Sequence, residues 1–253
     1  MTTWEKIGWG ILGLFGGALI CESWPSTQLR DFDSPGFESS AFQAPDGRIR
    51  KYVVYVPPEY DGSLPFPLIV FLHGQSQNGF DGRQQLKAGL GPEIAARQLR
   101  NQSFPYFVLF PQSHCGWAHK DEDYKFVVSI LNSIREEYLI DTKRIFLTGS
   151  GSGGEGALRF ASAYPGRWAA IIPILSDTGF VEVGGIGHVP VRWYQSNCDD
   201  MGFVRDTMME FVRRGSPFKL IVVDNSRHDP CTYAYADLAL YRWLDELMRV
   251  NTR

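Results

Sequence analysis

Short, nearly unbroken apolar runs alternate along the chain with segments in which apolar residues recur every three or four positions. Residues 52–56, 68–72, 107–110, 145–147, 169–172, 191–194 and 220–223 make up the first series. A run such as Leu68, Ile69, Val70, Phe71 and Leu72 has no polar face, which suits a strand covered on both sides. In the second series Val127, Ile130, Leu131 and Ile134 fall on one helical face, and residues 155–164 form a helix after a glycine-rich turn. A further helix over 203–214 is stopped by Gly215, and a last one over 236–250 buries Leu240, Trp243, Leu244 and Leu247. Strands alternating with helices predict an α/β domain, a mainly parallel central sheet with helices on both faces and its chemistry at the carboxyl ends of the strands.

Two stretches at the amino end break this pattern. Residues 7–20 carry no charge and are bracketed by Trp4 and Trp24. That run is shorter than the ~20 residues that cross a bilayer, and counting out to the tryptophans makes a marginal span. Residues 1–24 therefore read as a hydrophobic signal or membrane-anchor segment, and the chain as exported or membrane-anchored, outside the cytoplasm. Cys21 after Ala18, Leu19 and Ile20 is similar to a lipoprotein cleavage box, from which the bulky Ile20 departs; a helix packed on the domain is the alternative. Residues 25–47, rich in Ser, Pro, Asp and Gly, read as a linker, with the domain over 48–253.

With 253 residues, 44% apolar and 14% aromatic, the chain can bury one sizeable core. A net charge of -3 with both signs interspersed leaves no basic stripe for phosphates, so nucleic acid is not an expected partner. His114, Cys115 and His119 are three candidate metal ligands in one loop without a fourth, so neither metal nor cofactor is expected. Export would place Cys115, Cys198 and Cys231 in an oxidising compartment. Cys198 and Cys231 fall on loops after neighbouring strands, where a disulfide would pin the two together, while Cys115 and Trp117 are expected at the mouth of a cleft.

The strand at 145–148 runs directly into Gly149, Ser150, Gly151, Ser152, Gly153 and Gly154, and a helix follows. A strand, a sharp glycine turn and a helix push one side chain out at the top of a sheet, the device that presents a nucleophile in the string Gly-x-Ser-x-Gly. Here Gly149 and Gly153 hold the outer positions and Gly151 the middle one.

From about residue 50 to 244 the chain resembles the predicted-peptidase and esterase branch of the α/β-hydrolases, related to the polyhydroxybutyrate depolymerase-like esterases. The resemblance rests on residues 52–57, Phe71-Leu72-His73-Gly74, Pro111-Gln112, 144–149, Tyr164-Pro165-Gly166-Arg167-Trp168 and His228-Asp229. It implies an α/β-hydrolase fold and a nucleophile seven residues after Arg144 and thirteen before Tyr164; both counts land on Gly151. Glycine has no hydroxyl to deprotonate, and covalent acyl transfer needs one. The resemblance further implies His228 as general base and Asp199 as the acid that orients it, with Asp200 as fallback. The backbone N–H groups of Ser152 and Gln75 would form an oxyanion hole, and His73 is structural.

Three readings of function follow. The first is a hydrolase-fold module without catalysis, attached to the membrane through residues 4–24, that binds a small ester or peptide ligand or joins a protein complex. The second is a carboxylic ester or peptide hydrolase that works through Ser152 or Ser150, or such an enzyme from which the serine has been removed. The third takes Gly149, Gly151 and Gly154 as Gly-x-Gly-x-x-Gly, with Asp177 further on, and makes the chain a dinucleotide-binding protein.

Overall fold

The structure, a computed structural model, describes residues 35–44, 47–117, 121–175, 183–198, 201–224 and 229–250. Its strands are β1 (Phe37–Gln43), β2 (Ile49–Tyr55), β3 (Phe66–Leu72), β4 (Phe107–Pro111), β5 (Ile140–Ser150), β6 (Ala170–Ile174), β7 (Val191–Ser196) and β8 (Phe218–Val223). They form one sheet in the order β1-β2-β4-β3-β5-β6-β7-β8. β2 lies antiparallel between β1 and β4, and from β4 onward every neighbouring pair is parallel. The helices are α1 (Leu90–Leu99), α2 (Asp121–Glu137), α3 (Ser152–Ala163), α4 (Met201–Arg213), α5 (Pro230–Ala236) and α6 (Leu238–Val250).

The period-two alternation of the strands sorts their side chains into two cores. In β3, Leu68, Val70 and Leu72 pack with Ile130 of α2, Phe160 of α3 and Phe211 of α4. Ile69 and Phe71 face the other way, onto Ile94 of α1, Tyr235 of α5 and Leu244 of α6. All five β3 side chains are almost completely buried, which is why the run carries no polar residue, and each contributes roughly 2 kcal/mol by leaving water. The ion pair of Arg50 with Asp123 ties β2 to α2, and both partners are buried. Asp123 also accepts from the Ser113 hydroxyl at 3.3 Å.

The elements depart from the sequence reading at three points. β1 lies inside the stretch read as a linker and pairs along its whole length with β2, so the sheet begins before Arg48. Its sequence is mostly polar because it is an edge strand, with only Phe37 fully turned to the core. α1 had no periodic signal, since Gly91 and Pro92 open it. α5 also gave no signal, whereas the helix expected over 236–250 is α6, which starts at Leu238 because Asp237 is extended, with ψ 105°; the Asp237 carboxylate accepts the Ala239 N–H at 2.9 Å and the Tyr194 hydroxyl at 3.0 Å. The apolar segment 7–20 and the rest of 1–34 lie outside the described residues, among which no helix is long and apolar enough to cross a membrane.

Candidate active site

β5 ends at Ser150, Gly151 turns the chain with φ 57° and ψ -120°, and α3 starts at Ser152. The glycines around this turn have different reasons to be glycine. A Cβ at Gly149 would stand 2.2 Å from the Gly153 carbonyl oxygen, and one at Gly153 would stand 1.9 Å from the Leu72 carbonyl oxygen. These two let α3 press against the ends of β3 and β5. At Gly151 no atom of the described residues lies within 4 Å of the Cβ position. The turn is held from the backbone alone: Gly151 N–H donates to the Ile174 carbonyl at 2.9 Å, and the Gly151 carbonyl accepts from Gly154 and Glu155. A side chain at 151 would therefore extend into open space, although a non-glycine residue in this left-handed conformation costs about 1–3 kcal/mol.

That space belongs to a pocket of about 880 Å³. Its walls are the turn after β3, the exposed side of α1 with Lys87, Pro92 and Ala96 around it, the elbow, and the first turn of α5. Gln75 and Ser152 both line it, and neither of their backbone N–H groups has an acceptor among the described residues. Leu175, another lining residue, takes a positive φ of 49° directly after β6. α1 supplies a wall that the sequence pattern did not signal.

The two flanking serines are occupied differently. The Ser152 hydroxyl is buried and has no hydrogen-bond partner among the described residues. Ser150 hydrogen-bonds the Cys231 thiol, whose pKa burial pushes up to about 11 against the lowering effect of that bond. Cys231 is thus a neutral thiol at the pocket wall. The expected disulfide is absent: Cys198 and Cys231 are both free. Their side chains face different partners, since Cys198 is exposed and directs its sulfur to Asn197 at 3.4 Å. Trp117 is also misplaced by the sequence reading. It is fully buried, donating from Nε1 to the His73 carbonyl at 3.0 Å, while Cys115 is exposed.

His73 is a strut. Its Nδ1–H donates to the Gly74 carbonyl at 2.8 Å and its Nε2 accepts the Ser113 N–H at 2.9 Å, which fixes the neutral ring. Burial drives its pKa down to about 4. His228, Asp199, Asp200, His119 and Asp177 lie outside the described residues. Asp229, next to His228, lines the pocket and caps α5, accepting the Thr232 N–H at 2.8 Å.

A structure of a thermostable esterase superposes with a TM-score of 0.68 at 24% identity, covering 83% of this chain and 63% of that one. This chain has the α/β-hydrolase fold. No family model matches it. It is 26% identical over 172 residues to feruloyl esterase D of Neurospora crassa, spanning 66% of this chain and 59% of that protein. To feruloyl esterase C of Emericella nidulans it is 28% identical over 125 residues, 48% of this chain and 44% of the relative. The matched stretches thus cover roughly half the length of these curated relatives. The α/β-hydrolase fold places Gly151 at the carboxyl end of a central parallel strand, where β5 meets α3.

Proposed function

We propose that this chain is a carboxylic ester hydrolase in which water, not a serine, attacks the ester. The observation that carries the proposal is Gly151: an intact elbow that, among the described residues, leaves open space at the floor of the pocket beside two N–H groups without acceptors. A water in that space would lose a proton to His228, with Asp199 orienting the ring. Its oxygen bonds to the ester carbonyl carbon, and the Gln75 and Ser152 N–H groups hold the negative oxygen that develops. Collapse breaks the acyl–oxygen bond as His228 returns the proton to the departing alcohol. The named relatives make esters of ferulic acid the first substrates to try. Without a covalent nucleophile such machinery retains only ~10³–10⁴-fold over the uncatalysed reaction. Residues 7–20 favour a site of action outside the cytoplasm, which mass spectrometry of the mature amino end checks.

The test is hydrolysis of p-nitrophenyl butyrate and methyl ferulate by the full chain, its His228→Ala variant and its Gly151→Ser variant. Slow turnover that needs His228, and a gain of at least ~100-fold in Gly151→Ser, is the expected result. The second reading rests on the buried Ser152 hydroxyl, which has no hydrogen-bond partner among the described residues. If a fluorophosphonate labels the unaltered chain and Ser152→Ala abolishes labelling, Ser152 is the nucleophile and the water route is wrong. If neither the chain nor Gly151→Ser hydrolyses any ester, the hydrolase reading fails.

A further inference from the structure

We infer that Gln112 is a positioning residue for the oxyanion turn: its buried carboxamide grips the loop after β3 at three points and thereby sets the direction of the Gln75 N–H. The inference rests on the ester-hydrolase reading above. Gln112 follows the last residue of β4 and is 3% exposed. Its Oε1 accepts the Gly82 N–H at 2.6 Å. Its Nε2 donates to the Asp81 carboxylate at 3.0 Å and to the Gln77 carbonyl at 3.4 Å.

The last of these bonds leads to the reacting atoms. Residues Gln75–Gln77 form a single 3-10 turn after Gly74, closed by Gln77 N–H to the Gly74 carbonyl at 3.1 Å and Asn78 N–H to the Gln75 carbonyl at 3.2 Å. Holding the Gln77 carbonyl holds the turn, and the first N–H of that turn is Gln75's. The far side of the loop is clamped by the same amide through Gly82 and Asp81. Asp81 in turn accepts from Arg83 and Gln84 at 2.8 and 3.1 Å. Partial burial opposes its ionisation, but these bonds and the one from Gln112 outweigh it and hold its pKa at about 2, so it meets the amide as an anion.

Only a carboxamide suits this place. One planar group must donate to a carboxylate and a carbonyl while accepting from an N–H, which neither a carboxylate nor a hydroxyl of this reach can do. The loop is also packed onto the amide: Gly79 N–H donates to the Ser113 carbonyl at 3.1 Å, and a Cβ at Gly79 would come within 2.8 Å of Gln112 Nε2. A residue that served the fold alone would have no need to divide its bonds between both ends of a pocket loop.

The experiment uses the full chain carrying Gly151→Ser, with and without Gln112→Ala or Gln112→Glu. It follows fluorophosphonate labelling, ester kinetics and amide hydrogen exchange over residues 75–82. With Gln112→Ala, kcat and the labelling rate should fall about 10- to 100-fold with KM nearly unchanged, as expected for a donor lost only in the transition state. Exchange should quicken in the loop and stay unchanged in β5 and α3. Gln112→Glu puts a second carboxylate against Asp81, so its activity relative to the Gly151→Ser parent should recover as the pH is lowered and a proton restores the donor. Unchanged loop exchange, or loosened exchange with undiminished labelling, overturns the inference. A Gly151→Ser parent that is neither labelled nor active on any ester, alongside an inactive unaltered chain, would instead sink the hydrolase reading, while loop exchange still tests the grip of Gln112. Should Gln112→Ala fail to fold, Gly79→Ala displaces the same amide and must give the same pattern.

Discussion

At the scale of single residues, the elbow separates two kinds of glycine that look alike in the string Gly149-Ser150-Gly151-Ser152-Gly153. Gly153 is fixed by packing, because its Cβ would overlap the Leu72 carbonyl, a backbone atom that cannot step aside. Gly151 is fixed only by its positive φ. Gly151→Ser should therefore fold, at a cost of about 1–3 kcal/mol in backbone strain, which for a domain of this size lowers Tm by about 2–12 °C. Gly153→Ala should yield little or no folded protein. Thermal melts of the two variants side by side check both, and a Gly153→Ala protein that melts close to the unaltered chain would refute the packing account. The turn itself was legible, because the two spacings implied by the resemblance converge on residue 151, which is the residue between β5 and α3. The direction of a side chain was not: the intervals around Cys198, Cys231 and Trp117 say which loops they occupy, but not that Cys231 meets Ser150 or that Trp117 turns inward to His73.

Between elements, two polar links join the parts that frame the pocket. His73, at the end of β3, accepts from Ser113, just beyond β4, as a neutral ring. Because its folded pKa is about 4 and the unfolded value is about 6.5, the unfolded chain binds the proton more readily. The link is thus fully present above about pH 6.5, weakens as the pH falls, and is lost below about pH 4, an effect of about 3 kcal/mol across that window. Urea unfolding at pH 7.5, 6 and 5 should show this decline, and His73→Gln should flatten the histidine's share of it. The second link is Arg50 with Asp123, between β2 and α2. Asp123→Ala takes the carboxylate from a buried guanidinium and should cost about 3–5 kcal/mol, whereas replacing both partners by Met and Leu should cost far less; denaturation midpoints of the single and double variants decide it. Strands at the centre of the sheet were readable from their apolar runs, since burial on both faces leaves only one composition. β1 and α1 were not, because an edge strand and a helix opened by Gly91 and Pro92 satisfy few of those constraints.

At the scale of the whole molecule, the most polar strand has a global role. β1 closes the antiparallel edge, pairing from Phe37 opposite Tyr55 to Gln43 opposite Ile49. The Phe37 ring packs at a tilt against Tyr55 and Phe110, with centroids 5.1 and 6.0 Å away, so it belongs to the same core as α1 and α6. The Gln98 side chain donates to the Pro35 carbonyl at 2.8 Å, tying the entry to β1 to the end of α1. Removing residues 1–47, at the boundary that composition alone suggests, would empty the Phe37 site, a loss of about 3–5 kcal/mol. It would also expose the unpaired edge of β2, with Tyr52 and Val54 in a strand open to pairing with another chain. A chain beginning at Pro35 should melt like the full-length protein and run as a single species on size exclusion, while one beginning at Arg48 should melt at least ~6 °C lower, at ~2–4 °C per kcal/mol, and aggregate. If the shorter chain instead melts cooperatively at the same temperature, β1 is an accessory to the sheet, and the polar composition of residues 25–47 was the better guide to where the fold begins.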